Sequence, residues 1–473
     1  MTYDPILEDF SHQVRRRSGD TMLESAATRI TVGEVDRLAA GLARRLAAAG
    51  FAPDDLVGLA AVNGSGFVAG FLGIRRLGGR VLLIDRVTPP PERAAIISQL
   101  GAVGAVVCPS PWPRSADELM IECADEGSPK SELPAGTAVI RLTSGSTGRP
   151  QGIAHTARAL ATDDDALART MGLMDRERIL AAIPLSHAYG FASVFLPALR
   201  RPSVLVVPSG DGPFAVMDAV ARGGATFLPT VPAYVQAVLK MADPPPLDPS
   251  IRLVITAGAP LRPETAISFR GVYGRPIHVF YGASEVGGIC FDRTGTAGER
   301  GTLGEPVDGV DVRLTEVAGV EVGGLVEVRS PSAALGYVPV ADRRLQDGRF
   351  QTSDLGRWID RELVLTGRAD ELINVRGKKV NPREVEAVIA AIDSVDEVVV
   401  FGGPSTDGDG DLVRAVVACP SGDLDYVTVR RWCADRLSAH KVPRSVAIVE
   451  QIPRTDRGKI DRAAVRRMAT VDA

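Results

Sequence analysis

Residues 141–152 read Arg141-Leu142-Thr143-Ser144-Gly145-Ser146-Thr147-Gly148-Arg149-Pro150-Gln151-Gly152. Thr143 to Gly148 are consecutive small residues, each hydroxylated or glycine, and they follow a strand-like run at residues 138–142. A turn of this composition presents backbone N–H groups and hydroxyls to an anion and is able to wrap a pyrophosphate. No Lys-Ser or Lys-Thr follows Gly152, so the G-x-x-x-x-G-K-[ST] loop is excluded. Composition alone leaves a flexible serine-glycine linker open. The position directly after a core-like strand argues for the anion site.

Outward from this turn, the first half of the chain alternates helical and strand patterns. Residues 32–49 are amphipathic with an Ala/Leu/Arg period, and short apolar runs occur at 56–62, 81–84, 105–108, 179–183, 203–207 and 253–256. Strands separated by helix-sized segments predict parallel sheets with helices on their faces. After Pro306 the pattern changes to short alternating strands at 310–314, 324–329 and 363–366, which predict a small β-barrel-like sheet. From Arg368 onward the order is strand, helix (382–392), strand (397–401), strand (413–418), helix (426–437) and a tail rich in Pro, Arg and Lys. That is a compact α+β unit of a size that folds alone. The expected fold class is therefore α/β: a large N-terminal domain of two parallel α/β sheets plus the small sheet, and a smaller C-terminal α+β domain.

A chain of 473 residues exceeds one core and implies two or three packing units. Its 45% hydrophobic and 24% charged residues are ordinary for a globular protein, and a net charge of -4 lacks the basic excess of a nucleic-acid binder. The five cysteines, Cys108, Cys123, Cys290, Cys419 and Cys433, form no CxxC and no zinc spacing, which fits a reducing cytoplasm. The N-terminus does not read as a secretion signal. Residues 56–74 carry no charge, but Asn63, Ser65 and five glycines favour a buried strand and helix over a membrane span.

Further segments carry chemistry in a fixed order. Tyr281-Gly282-Ala283-Ser284-Glu285 offers a ring to stack on a base, a hydroxyl and an acid; Thr352-Ser353-Asp354-Leu355-Gly356 offers a carboxylate that accepts two hydrogen bonds at once. Thr366-Gly367-Arg368-Ala369-Asp370-Glu371 reads as a turn between domains, followed by Val375-Arg376-Gly377-Lys378-Lys379-Val380-Asn381-Pro382 with Glu384 and Glu386. The tail contains Pro453-Arg454-Thr455-Asp456-Arg457-Gly458-Lys459-Ile460-Asp461-Arg462. Singly, each has an ordinary structural reading: a buried tyrosine, a turn, a solvated basic tail.

Together and in this order, these segments resemble the motifs of the acyl-adenylate-forming (AMP-binding) superfamily, in its acyl-CoA synthetase and aryl-CoA ligase-like branch. The resemblance implies ATP- and magnesium-dependent conversion of a carboxylic acid to an acyl-AMP with release of pyrophosphate, then acyl transfer, with coenzyme A as the expected acceptor. It implies that Thr143, Ser144, Gly145, Ser146, Thr147 and Gly148 hold phosphates, and that Gly258, Ala259, Tyr281, Gly282, Ser284, Asp354 and Arg368 bind the nucleotide. Glu285 would hold magnesium, and Lys459 would stabilise the charge that builds during attack on the α-phosphorus. Asp370 would be the pivot of a domain rotation, with residues 1–367 the large domain, 368–370 the hinge and 371–473 the lid; Gly377, Lys378 and Lys379 would line the acceptor tunnel. The family pattern has lysine where Gln151 stands here, and the neighbouring Arg149 or His155 is the expected replacement.

Pro184-Leu185-Ser186-His187-Ala188-Tyr189-Gly190 resembles the family segment bordering the acid and the acceptor tunnel, which makes His187 a candidate catalytic and pocket residue. A satisfied core histidine is the competing reading. With Tyr189, the other expected walls are Val231, Tyr234, Ala257, Gly258 and Gly282, mostly small or apolar as an aryl or aliphatic acid needs. A carrier protein or an amine are the alternative acceptors, and an adenylate-binding regulator is the non-catalytic alternative. A rival from another class is an NAD-dependent oxidoreductase, because Gly64-Ser65-Gly66-Phe67-Val68-Ala69 follows an apolar run and Asp85 comes about 20 residues later.

Overall fold

The computed structural model describes residues 3–124, 132–143, 151–210, 212–222, 224–318, 320, 322–375, 378–404, 411–454 and 460–468. By compactness the chain divides into two units, Met1–Val312 with Val328–Phe350, and Arg313–Glu327 with Gln351–Ala473.

Among the described residues the first unit contains two large mixed sheets. One runs in the order Gly336–Val338, Gln151–His155, Val139–Thr143, Arg80–Leu83, Leu56–Ala61, Gly104–Cys108, Met120–Cys123. Its central four strands are parallel and the outer ones antiparallel. The other orders Glu305–Pro306, Gly287–Phe291, His278–Ala283, Leu253–Thr256, Phe227–Thr230, Arg178–Leu180, Val204–Val206, Thr21–Glu24, Arg29–Thr31, again parallel in the middle. The runs at 56–62 and 253–256 became strands because their side chains are buried on both faces, as a parallel strand under helices requires.

The helix Val32–Ala48 begins at a capping box in which Thr31 and Glu34 satisfy each other's backbone N–H groups. It packs on Ser65–Leu77, whose first ten residues are buried; a Cβ at Gly73 would lie 2.8 Å from a Leu42 methyl, so glycine permits this close approach. Phe67 and Phe71 meet Phe195 edge-on with centroids 5.2 and 4.9 Å apart, and one apolar core joins these helices to side chains of both sheets.

This packing removes the dinucleotide reading. The Ser65 N–H at the helix start donates to the Pro111 carbonyl at 2.9 Å, and a Cβ at Gly64, which has φ +151°, would lie 2.2 Å from the same oxygen. A Cβ at Gly66 would lie 2.5 Å from the Cys108 sulfur. The glycines serve strand–helix packing and leave no space for a phosphate. No helix among the described residues is long and apolar enough to cross a membrane; residues 56–74 are the strand and helix just described.

In the second unit, Arg349–Ile359 pairs antiparallel with Glu362–Arg368, in a small sheet that also contains Asp311–Thr315 and Gly324–Arg329; the division between units falls within several of these strands. Beyond them the hairpin Ile373–Val375/Lys378–Val380 precedes a three-stranded sheet of Glu397–Pro404, Asp411–Ala418 and Ser445–Val449. The helices Pro382–Ala390 and Tyr426–Ala434 close one core on this sheet through Val385, Ile389, Val429 and Cys433. The α+β composition expected of the C-terminal region is present.

Candidate active site

In the first unit the strands Val139–Thr143 and Gln151–His155 pair antiparallel with Thr143 opposite Gln151. Ser144, Gly145, Ser146, Thr147 and Gly148, between these strands, lie outside the described residues, as does Arg149. Thr143 is half-buried and its hydroxyl donates to the Gln151 carbonyl at 3.4 Å.

These two strands carry a sealed polar group. Arg141 is 3% exposed and His155 0%. Arg141 donates from Nε and Nη2 to Nε2 of His155 at 3.1 and 2.9 Å, and from Nη2 to the Ser284 carbonyl at 2.7 Å. A guanidinium only donates, so Nε2 of His155 must be the unprotonated nitrogen. Burial, then the adjacent guanidinium, holds the imidazole well below its ordinary pKa. His155 is therefore neutral and turned inward, which corrects the expectation that it replaces the loop lysine. Burial lowers Arg141 to about 10 against the opposing charges of Asp163 and Glu285. Asp163, also sealed, accepts from the Gly288 N–H at 2.9 Å, and burial pushes its carboxyl up to about 6. Gly287, at φ +77°, must lack a side chain, because its Cβ would lie 2.2 Å from Asp163 Oδ1.

This group fixes the Tyr281–Glu285 segment. The Glu285 carbonyl accepts from Ala334 N–H at 2.8 Å, and its carboxylate Oε1 accepts from the Tyr337 hydroxyl at 2.6 Å. Burial and the Glu285 charge push the Tyr337 phenol up, so it stays a donor. Tyr281 lies opposite Cys290, and the register shifts between Tyr281 and Gly282, leaving Gly282 exposed and Ser284 half-buried. Gly258, at φ +84°, and Ala259 are exposed just past the strand Leu253–Thr256.

The expected pocket residues divide between the two faces of one sheet. Tyr189 packs on the core that Phe227 and Ile255 face, donating to the Thr230 carbonyl at 3.2 Å, with its ring centroid 6.0 Å from that of Phe280. Tyr234 lies on the opposite face, in an apolar cavity with Leu228, Val254, Phe269 and Tyr273. Val231, half-buried, and Ala257, buried, occupy the strand ends between them. His187 is half-exposed, and its Nε2 lies 3.0 Å from Asp85 Oδ2.

In the second unit, Asp354 lies opposite Arg368 across the strand pair. Arg368 donates to Asp354 Oδ1 at 3.1 Å and grips Asp370 with two bonds, to Oδ1 at 3.0 and Oδ2 at 2.9 Å. Burial opposes ionisation of Asp370, but the bonds and charge of Arg368 outweigh it and hold that carboxyl below its usual range. Lys378 and Lys379 are exposed on the hairpin; Gly377 and Lys459 lie outside the described residues.

Sequence reading missed Tyr337, Asp163 and the partnership of Arg141 with His155. Arg141 stood in plain view as a charge inside an apolar strand pattern, and that was the available signal. The other contacts span 52 and 125 residues, and no local pattern reports them.

Comparison with known proteins gives a consistent answer. Residues 10–338 match the family described as AMP-binding enzyme, and residues 384–459 match the AMP-binding enzyme C-terminal domain. The chain is 28% identical to the long-chain-fatty-acid–CoA ligase FadD13 of Mycobacterium tuberculosis, over 93% of each chain. It is 29% identical to a feruloyl-CoA synthase of Amycolatopsis sp, over 94% of this chain and 95% of the other. Among solved structures, the amide bond synthetase McbA from Marinactinospora thermotolerans superposes with TM-score 0.81 at 27% identity, covering 98% of this chain and 99% of the other. ATP-bound MatB from Rhodopseudomonas palustris superposes with TM-score 0.81 at 22% identity and 98% coverage of both, a likeness of fold.

Proposed function

The chain belongs to the AMP-binding enzyme family, and from that premise we propose that it activates a carboxylic acid with ATP to an acyl-AMP, releasing pyrophosphate, and transfers the acyl group to coenzyme A. The observation that carries this reading is the Arg141 contact to the Ser284 carbonyl, which ties the strand entering the phosphate turn to the segment bearing Glu285. A turn of N–H and hydroxyl donors beside a carboxylate is what a polyphosphate with a divalent cation requires.

Glu285 fits a magnesium site: Tyr337 holds one carboxylate oxygen, and Oε2 makes no hydrogen bond among the described residues. A single carboxylate suffices, because magnesium keeps several waters and takes its remaining ligands from phosphates. Bound there, the metal would neutralise charge on the phosphates. The chain's own part is positional. The turn holds the triphosphate, Tyr281 stacks on adenine, Asp354 accepts from the ribose hydroxyls, and Lys459 meets the developing negative charge. For the second half-reaction, residues 371–473 rotate about Asp370, with 368–370 as hinge and 1–367 as the stationary domain. Lys459 is withdrawn, and Gly377, Lys378 and Lys379 line the acceptor tunnel. A reducing compartment that supplies ATP and coenzyme A, the cytoplasm, fits this chemistry and the free cysteines.

The acid is aryl or aliphatic, a reading supported by the mainly apolar Tyr189, Val231 and Ala257; Tyr234, on the opposite face of the sheet, is not a wall of the same pocket. An amine acceptor is the second reading, favoured by the likeness to the amide bond synthetase. Pyrophosphate release is to be measured over a panel of aryl and fatty acids with and without coenzyme A. Acid-dependent release, with thioester appearing only when coenzyme A is present, is expected; no release with any acid would reject the reading.

A further inference from the structure

Three neighbouring parallel strands of the seven-stranded sheet end at one edge, and the residues there are Asn63, Asp85 and Thr143. Asn63 follows Leu56–Ala61, Asp85 follows Arg80–Leu83, and Thr143 closes Val139–Thr143. Leu83 lies opposite Arg141 in parallel register, so two residues further on Asp85 is level with Thr143, where the phosphate turn departs. In an α/β sheet this carboxyl edge is where ligands bind.

Asn63 holds the neighbouring segment in place. Its Nδ2 donates to the carbonyls of Ala181 at 3.0 Å and Ile183 at 2.9 Å, and its Oδ1 accepts from Leu185 N–H at 2.9 Å. Two residues beyond that clamp, His187 Nε2 lies 3.0 Å from Asp85 Oδ2. Asp85 is itself fixed, since Oδ1 accepts from the Val87 N–H at 3.2 Å. A carboxylate only accepts, so Nε2 carries a proton, and in the neutral ring the lone pair is then on Nδ1. His187 caps the short helix that follows, yet its side chain makes no capping bond, so Nδ1 is not used there. The ring is 47% exposed.

We propose that Asp85 and His187 act as a positioned base in the transfer half-reaction. Resting on the adenylate-forming reading above, the step is as follows. The acceptor thiol attacks the acyl carbon of acyl-AMP, a C–S bond forms, and the C–O bond to the phosphate breaks. The bonding pair leaves with AMP, and the thiol proton passes to Nδ1 of His187. Asp85 touches neither substrate; it is a positioning residue that holds the tautomer and stabilises the imidazolium as it forms.

The test supplies acyl-AMP directly and follows single-turnover transfer to saturating coenzyme A, with hydroxylamine as a second acceptor. Hydroxylamine is a free amine near neutral pH and needs no prior deprotonation. His187→Gln should slow transfer to coenzyme A by about 10²-fold, and Asp85→Asn by about tenfold or more, with little change in KM for coenzyme A. Hydroxylamine transfer should fall much less, and the double variant should be no slower than His187→Gln, as for groups that act as a unit. Asp85→Glu should recover part of the rate. Transfer at the parent's rate in both single variants, or equal slowing with both acceptors, would overturn the pair while leaving adenylation standing. Absence of acid-dependent pyrophosphate release from the unsubstituted enzyme would overturn the adenylation reading and the base with it.

Discussion

Arg141 and His155 face each other across two antiparallel strands with Nη2 and Nε2 2.9 Å apart, sealed from water. A guanidinium is tolerated there because its charge has three kinds of partner: a neutral imidazole, the Ser284 carbonyl, and the nearby charges of Asp163 and Glu285. The pair joins the strands Val139–Thr143 and Gln151–His155 to the segment that carries Glu285, through the Ser284 carbonyl.

Removing the guanidinium should therefore affect stability and chemistry together. Arg141→Met leaves His155 Nε2 and the Ser284 carbonyl unbonded and Asp163 without its compensating charge, a loss of about 3–5 kcal/mol in denaturant unfolding. Arg141→Lys keeps the charge but not the fork; it should lose less stability and still lower acid-dependent pyrophosphate release. An Arg141→Met protein as stable as the parent would show that the buried contact is dispensable.

Asp163 gives the site a pH signature. Its folded pKa, near 6, lies above the ordinary value of 3.8, so between those values the native state binds more protons than the unfolded one. Its contribution to stability is present below about 3.8 and is lost as pH rises through about 6. Asp163→Asn mimics the neutral form and keeps an acceptor for the Gly288 N–H. Relative to the parent, the variant should gain stability from pH 4 to 7, with a slope of up to about 1.4 kcal/mol per pH unit. A flat difference in urea unfolding across that range would mean that the carboxylate is not desolvated.

Tyr337→Phe removes the bond that aims Glu285 while keeping the ring in its packing. Outer partners of metal-ligating carboxylates set their orientation, so the magnesium concentration for half-maximal pyrophosphate release should rise by about tenfold. Thermal stability should change little. An unchanged magnesium dependence would leave Glu285 without the assigned ligand role.

Most of the fold was legible because buried parallel strands are continuous apolar runs, as at 253–256, and half-buried strands alternate, as at 324–329; both were bounded from sequence as the structure has them. The phosphate-binding role of residues 143–148 is an expectation from local, contiguous sequence, and of these residues only Thr143 is among the described ones. Pairings across the chain were not legible. Tyr337 meets Glu285 from 52 residues away and carries no motif of its own. Asp85 has the spacing of a ribose-binding acid in a dinucleotide fold, yet its carboxylate meets His187, 102 residues away. His155, adjacent in sequence to the phosphate turn, is directed by strand alternation into the interior.

That burial makes Gln151 informative. His155 supplies no charge to the turn, so a cation at position 151 should be additive rather than redundant. Gln151 is half-buried opposite Thr143 at the base of the turn. Gln151→Lys should raise ATP-dependent pyrophosphate release at subsaturating ATP by about tenfold, the worth of one charge-assisted bond to phosphate. An unchanged rate would mean that N–H groups and hydroxyls already saturate the leaving phosphates.

The grip of Arg368 on Asp370 bears on the second half-reaction. The guanidinium holds Asp370 by two bonds and Asp354 by one, so the turn at Ala369–Glu371 is fastened to the strand that ends at Arg368. The proposed rotation about Asp370 would require its backbone torsions to change while that anchor persists on one side. Asp370→Pro fixes φ near −65° and removes the carboxylate. On the proposed rotation it should leave acid-dependent pyrophosphate release measurable and slow transfer from supplied acyl-AMP to coenzyme A by about 10²-fold or more, because the lid would then not exchange Lys459 for the Gly377 loop. Asp370→Ala is the control, since it removes the carboxylate but leaves the torsions free. If alanine and proline slow transfer alike, the anchor and not the pivot is what matters.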